Sequence, residues 1–171
     1  MGEDERIGTA VIGYGYWGPN LARNAQESEL ARLNYICDLS EELRVLASSR
    51  HPQAKVTASL EEVLDDPAIS AVFVATPPRT HCDLAMQALR AGKHVLVEIP
   101  LAMSVRGARE LEALARRQER RLMVAHSRRF EAGGLFVREF IDSGRLGRVH
   151  QHHAYSFSLR HENVGWTGYQ R

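Results

Sequence analysis

Apolar positions along this chain fall into short runs separated by longer stretches of helical character. The runs are Gly8-Thr9-Ala10-Val11-Ile12, Leu33 to Cys37, Ser70 to Ala75, His94 to Glu98 and Leu122 to Ala125. Ser70 to Ala75 is continuous, β-branched and of strand length, the pattern of a strand buried on both faces.

The intervening stretches carry helix signals. Pro19 suits the first turn of a helix that continues through Asn20 to Gln26. Ser40 caps a helix running to Arg50. Ser59-Leu60-Glu61-Glu62 is a capping box that opens a short helix ending near Asp66-Pro67. Thr80 to Ala91 is helical, with Gly92 as its stop. Ser104 caps a helix reaching about Arg120, and Glu131 to Ser143 forms another, stopped by Gly144.

Strand alternating with helix predicts parallel strands joined by right-handed crossovers. The expected fold is α/β, a Rossmann-type doubly wound parallel sheet over residues 1–127. Residues 128–171 then supply a linker helix and the first strand, Val149–Leu159, of an incomplete α+β second domain. That strand alternates polar and apolar residues and has no later strand to pair with, so it is a candidate edge for homo-oligomer formation.

Composition narrows this picture only a little. Apolar content of 44% and charged content of 25% suit an ordinary globular protein, and a net charge of +1 gives no reason to expect nucleic acid or membrane as partner. No apolar run reaches membrane-spanning length and no signal peptide is visible, so a cytoplasmic location is expected. Cys37 and Cys82 read as small buried hydrophobes rather than a disulfide.

The chemistry begins after the first strand. Gly13-Tyr14-Gly15-Tyr16-Trp17-Gly18 is G-x-G-x-x-G between a strand and a helix, the context that gives this motif its meaning. Gly13 permits a tight turn, Gly15 lets a pyrophosphate approach the backbone, and Gly18 allows close helix–strand packing. The helix N-terminus offers N–H groups and a positive partial charge to the phosphates. Asp38, 20 positions after Gly18, stands where a carboxylate accepts the hydroxyls of the adenosine ribose. It would repel a 2′-phosphate, and Leu39 and Ser40 bring no arginine to receive one. The cofactor expected is therefore NAD rather than NADP. The competing reading of the motif is a solvated turn with a helix-capping glycine.

With these residues in view the sequence resembles the glucose–fructose oxidoreductase / inositol dehydrogenase / rhizopine-catabolism family. The matching segments are the 13–18 motif, Ala75-Thr76-Pro77-Pro78-Arg79-Thr80-His81, and Ala91-Gly92-Lys93-His94 through Glu98-Ile99-Pro100-Leu101. Ala125-His126-Ser-Arg-Arg-Phe130 and Ile141 to Val149 also match. The resemblance implies a Rossmann domain followed by a substrate-carrying, oligomer-forming domain with a large open sheet. It implies that Thr76 and Pro77 lie beside the cofactor, and that His81 has either a cofactor role or a packing role. It places Glu98 near the nicotinamide ribose. Most relatives have Glu-Lys-Pro there, with lysine a catalytic or cofactor-orienting group, whereas this chain has Ile99. Glu98-Ile99-Pro100 with His126-x-Arg128-Arg129-Phe130 is similar to a subgroup of the family, the 4-carboxy-2-hydroxymuconate-6-semialdehyde dehydrogenases.

His126, Arg128 and Arg129 are candidate substrate residues, since paired arginines can clamp a carboxylate or phosphate. A solvated arginine pair is the alternative. His150, His152 and His153 invite a metal reading, but strand alternation separates His153 from the other two and no carboxylate joins them at ligand spacing. No catalytic residue is assigned. The resemblance implies that the usual acid–base aspartate and histidine belong to the second domain, beyond the part matched here. The expectation is the NAD-binding half of a dehydrogenase acting on a small molecule with a sugar-like or cyclic-hemiacetal hydroxyl. A catalytically inert dinucleotide-binding module is the rival.

Overall fold

The computed structural model describes residues 6–153 and Tyr155. The described chain divides into two compact units, the first ending at Ala125 and the second beginning at His126. In the first, strands β1 (Ile7–Ile12), β2 (Ala31–Cys37), β3 (Lys55–Thr57), β4 (Ala71–Val74), β5 (His94–Val97) and β6 (Leu122–Val124) alternate with helices. The helices are α1 (Gly18–Glu27), α2 (Glu41–Arg50), α3 (Leu60–Asp65), α4 (Pro78–Arg90) and α5 (Val105–Arg117). The sheet is six-stranded, in the order β3-β2-β1-β4-β5-β6, and each neighbouring pair is parallel. This is the expected Rossmann-type, doubly wound α/β sheet.

Its two faces bury separate clusters, as the two-residue period of a strand requires. Ala10 and Ile12 of β1 join Val72, Val74, Val95 and Val97 under α4 and α5, where Ala85, Leu89 and Leu111 are fully buried. Val11, between them in β1, turns to the opposite face with Leu33 and Ile36, against Ala22 and Ala25 of α1 and Ala47 of α2. Cys37 is buried and free, and burial pushes its thiol up to about 11, so it behaves as a hydrophobe.

Three local outcomes differ from the sequence expectation. The third strand has one apolar residue, Val56, and no strand pattern of its own. Parallel pairing with Tyr35, Ile36 and Cys37 of β2 creates it. At α3 only half of the capping box forms. Ser59 Oγ accepts from Glu62 N–H at 3.2 Å, but the Ser59 N–H goes to Thr57 Oγ1 at 3.0 Å, and the Glu62 carboxylate pairs with Lys55. Helix α5 stops at Arg117 rather than near Arg120. Glu119 takes a left-handed conformation with φ 53°, Glu119 N–H donates to Arg116 O and Arg120 N–H to Ala115 O. That is a Schellman ending with glutamate in the place glycine usually holds.

The second unit is described by itself. A 3₁₀ turn at Ser127–Phe130 leads into α6 (Ala132–Asp142), on which Phe136 and Phe140 stack 5.9 Å apart. Its Leu135, Phe136, Val137 and Ile141 are exposed. The strand expected at Val149–Leu159 is not formed where it can be seen. Val149 to His153 and Tyr155 carry no strand, because the described residues offer no partner to hydrogen-bond it. Residues 156–159 lie outside the described ones. No described helix is long and apolar enough to cross a membrane.

Left-handed backbone costs a residue with a Cβ roughly 1–2 kcal/mol, which glycine avoids while losing some chain entropy. Glu119→Gly should therefore raise stability by about 0.5–1 kcal/mol in chemical denaturation. An equal or lower midpoint would show that the Glu119 side chain stabilises this turn.

Candidate functional site

At the carboxyl ends of the strands the connection order reverses between β1 and β4, which are adjacent in the sheet but distant in sequence. Open α/β sheets bind ligands at such a point. Gly13 leaves β1 with φ 94° and donates its N–H to Cys37 O at 2.8 Å. A Cβ on Gly13 would lie 2.7 Å from Ala75 O and 2.8 Å from Thr76 Cγ2, so only glycine lets the β1 and β4 turns close on one another. A Cβ on Gly18 would land on the Gly13 carbonyl, whereas one on Gly15 would meet open space. The sequence assignment of these three glycines thus separates physically: two are required by the fold, and Gly15 is kept clear.

Helix capping sorts the elements in the same way. Serines cap α2, α3 and α5: Ser40, Ser59 and Ser104 each accept a backbone N–H. No side chain caps α1 or α4, and neither has an acidic residue in its first turn. Both helices begin at the ends of the two central strands. Pro19 has no N–H and Asn20 N–H donates to Trp17 O at 3.0 Å, so Gly18 is the first-turn amide of α1 without an intrahelical partner, and no acidic side chain in that turn competes for it, an arrangement suited to a diphosphate.

Asp38 links the glycine turn to the end of β2. Its Oδ2 accepts the Tyr14 N–H at 2.7 Å, and its Oδ1 accepts the Ser40 N–H at 2.8 Å. Each carboxylate oxygen retains further acceptor capacity. Arg44, from the first turn of α2, donates from Nη1 to the carbonyls of Asp38 at 3.0 Å and Leu39 at 2.8 Å. Arg44 is not among the residues immediately after Asp38, where the sequence offers Leu39 and Ser40. Arg44 reaches the turn because it lies one helical turn beyond the Ser40 cap.

Tyr14, expected to line the cofactor site, points its ring into the core. It is fully buried, its hydroxyl lies 3.0 Å from His51 Nε2, and only its backbone remains at the turn. Tyr16 and Trp17 face outward at 68% and 41% exposure. In the next turn, Thr76 Oγ1 lies 2.7 Å from the Thr80 hydroxyl, which also lies 2.8 Å from Pro77 O. His81 is buried beneath, with Nε2 2.6 Å from Thr76 O and Nδ1 2.8 Å from Pro100 O.

Glu98 follows β5, and its N–H donates to Val74 O at 2.9 Å. Partial burial pushes its carboxyl above the ordinary range. The Ile99 N–H, the charge of the His81 ring and the Trp17 indole pull against this, in that order. Ile99 is 53% exposed and brings no ionisable group to the position. Lys93 is no substitute. At the other end of β5 it is buried, donates to Asp66 O at 2.8 Å, and is pushed down by that burial. His126, Arg128 and Arg129 are exposed in the second unit. Among the described residues no three His, Cys, Asp or Glu side chains converge as metal ligands.

The fold and crevice define a dinucleotide-binding α/β domain. Residues 7–126 match the model of the oxidoreductase family with an NAD-binding Rossmann fold, GFO_IDH_MocA, and the chain belongs to this family. It is 35% identical over 153 residues to the uncharacterized oxidoreductase YdgJ of Escherichia coli strain K12, covering 87% of this chain and 42% of that protein. It is 42% identical over 94 residues to the 1,5-anhydro-D-fructose reductase of Ensifer adhaerens, covering 55% and 28%. GenD2 from gentamicin A biosynthesis, solved in complex with NAD, superposes with a TM-score of 0.78 at 32% identity, covering 82% and 40%. The chain spans less than half the length of these relatives.

Two substitutions separate fold from site. Gly18→Ala should lower the melting temperature sharply, because its methyl meets backbone that cannot yield. Gly15→Ala should melt within a degree or so of the parent, since a surface change away from such contacts is worth about 0.5 kcal/mol or less, yet weaken NADH binding. Equal melting temperatures for the two variants would refute the assignment. Glu98 gives a pH test. Its raised value means that ionisation costs the folded state, a cost absent below the ordinary value of 4.5 and felt as pH rises through the folded value. Glu98→Gln should therefore stabilise the ligand-free protein at neutral pH, with the gain shrinking as pH falls below the carboxylate range. Thermal melts at both ends of that range measure it.

Proposed function

We propose that this chain is the NAD-binding half of a dehydrogenase that transfers hydride between the nicotinamide and a hydroxyl-bearing carbon of a sugar-like or cyclic-hemiacetal substrate. One observation carries this reading: the uncapped start of α1, with Gly15 clear and Asp38 fixed at its flank. The N–H groups leading into α1 as far as Gly18 would hold the diphosphate, and the Asp38 carboxylate the adenosine ribose hydroxyls. Thr76, Pro77 and Glu98 line the nicotinamide side, Glu98 as an acceptor for ribose hydroxyls, with Ile99 as an apolar wall. Tyr16 and Trp17 form the outer face of the glycine turn.

The bound cofactor supplies the hydride acceptor at nicotinamide C4. When substrate is oxidised, the hydride leaves the carbinol carbon and the hydroxyl proton passes to a base. Ile99 holds no proton, so that base is not at the position relatives fill with lysine. The 1,5-anhydro-D-fructose on which the Ensifer enzyme is named as acting, a sugar derivative, supports a sugar-like substrate. Arg128 and Arg129 would clamp an anionic group on it, with His126 beside them. If Arg128→Ala and Arg129→Ala leave KM unchanged, the pair is merely solvated.

Asp38 favours NAD over NADP by charge. Arg44 brings a positive charge to the same turn, with two of its five N–H donors, both on Nη1, given to backbone carbonyls. A second reading, a module that binds dinucleotide without turnover, is favoured by Ile99 alone.

Calorimetry should show NAD and NADH binding at least about tenfold tighter than NADP and NADPH, a difference of about 1.4 kcal/mol. Equal affinities would overturn the role of Asp38. No heat with any of the four would overturn the cofactor assignment. NAD reduction with cyclic polyols or hemiacetals, absent from Gly15→Trp, would exclude the inert module.

A further inference from the structure

His81 is 1% exposed, and both of its ring nitrogens face backbone carbonyl oxygens. Nε2 lies 2.6 Å from Thr76 O and Nδ1 2.8 Å from Pro100 O. A carbonyl oxygen only accepts. A neutral imidazole carries one N–H and one bare nitrogen, so it can serve only one of these oxygens. Its lone pair would then point at the other at hydrogen-bond distance, and burial leaves the ring no solvent-facing edge to relieve that repulsion.

His51 provides the contrast within the same domain. It is also buried, but its partners are Gln26 Oε1 on Nδ1 and the Tyr14 hydroxyl, 3.0 Å from Nε2. A neutral ring satisfies both, donating to the amide oxygen and accepting from the phenol. Burial pushes His51 down, toward that neutral form. No such tautomer exists for His81, because neither of its partners can donate.

We propose that His81 is held as the imidazolium, with a proton on each ring nitrogen, and that it is a positioning residue of the cofactor crevice. Its two N–H groups fasten the Thr76 and Pro100 carbonyls, fixing the spacing between the β4–α4 turn and the loop after β5. One side of that span carries Thr76 and Pro77 and the other Glu98 and Ile99, so the positioning role rests on the cofactor assignment above. The ring also places a positive charge where it favours ionised Glu98.

The test uses the full 171-residue chain with 15N-labelled histidine. Long-range proton–nitrogen spectra at neutral pH should show two protonated ring nitrogens for His81, with and without NADH. The signal is assigned by its loss in His81→Gln or, should that variant not fold, through the backbone resonances of the parent. A single protonated nitrogen overturns the proposal. Glutamine donates from one amide nitrogen and cannot span both carbonyls. Folded His81→Gln should therefore bind NADH about tenfold more weakly, the worth of one charge-assisted hydrogen bond. An unchanged affinity overturns the positioning role. If the parent shows two protons on His81 but binds no NADH, the cofactor assignment and the positioning role fall together while the imidazolium stands.

Discussion

Ala75 donates its N–H to Ile12 O at 2.8 Å, continuing the pairing of β4 with β1 beyond the last ladder residues. The crevice depends on this pairing. Chain growth moves outward from β1 through β2 to β3, then returns to lay β4 on the other side of β1. The turns leaving β1 and β4 must therefore diverge to opposite faces, and the space between them is the ligand site. Gly13 marks how closely those turns meet, since a methyl group there would strike Ala75 O and Thr76. The glycine is demanded first by the sheet, and the site inherits a narrow floor from it.

Asp38 extends the same constraint to the flank. It accepts the Tyr14 N–H from one turn and the Ser40 N–H from another, so the carboxylate is oriented by the folded chain before any ribose arrives. A group held this way loses little freedom on binding. The Arg44 guanidinium ties the carbonyls of Asp38 and Leu39 together. Removing the Asp38 side chain would thus disturb the glycine turn as well as the proposed sugar contact, and loss of binding in such a variant would mix the two effects.

Sequence alone revealed what is governed by near neighbours. The strand–glycine–helix succession and the caps at Ser40 and Ser104 are decided within a few residues, and each stands in the structure as expected. What it did not reveal is decided across the sheet. β3 exists because β2 offers an edge to Lys55–Thr57. The Tyr14 ring turns inward because His51, brought up by α2, gives its hydroxyl a partner. The Glu62 carboxylate leaves its capping box for Lys55 on the neighbouring strand. His81 could be read as either a cofactor or a packing residue, and only the positions of Thr76 O and Pro100 O show what its nitrogens meet.

The same cross-sheet geometry explains why an acid is tolerated at the end of an apolar strand. Burial raises the cost of ionising Glu98, so the carboxylate works against the folded state wherever it is charged. The Ile99 N–H, the His81 ring and the Trp17 indole reduce that cost without removing it. Two of these three come from other elements, Trp17 from the glycine turn and His81 from α4. Residual desolvation leaves Glu98 short of hydrogen-bond donors, and donors are what ribose hydroxyls bring. Ile99 beside it adds none, being apolar and half exposed. The mouth of β5 therefore offers an under-donated carboxylate beside an apolar side chain, the arrangement on which the proposed ribose contact rests.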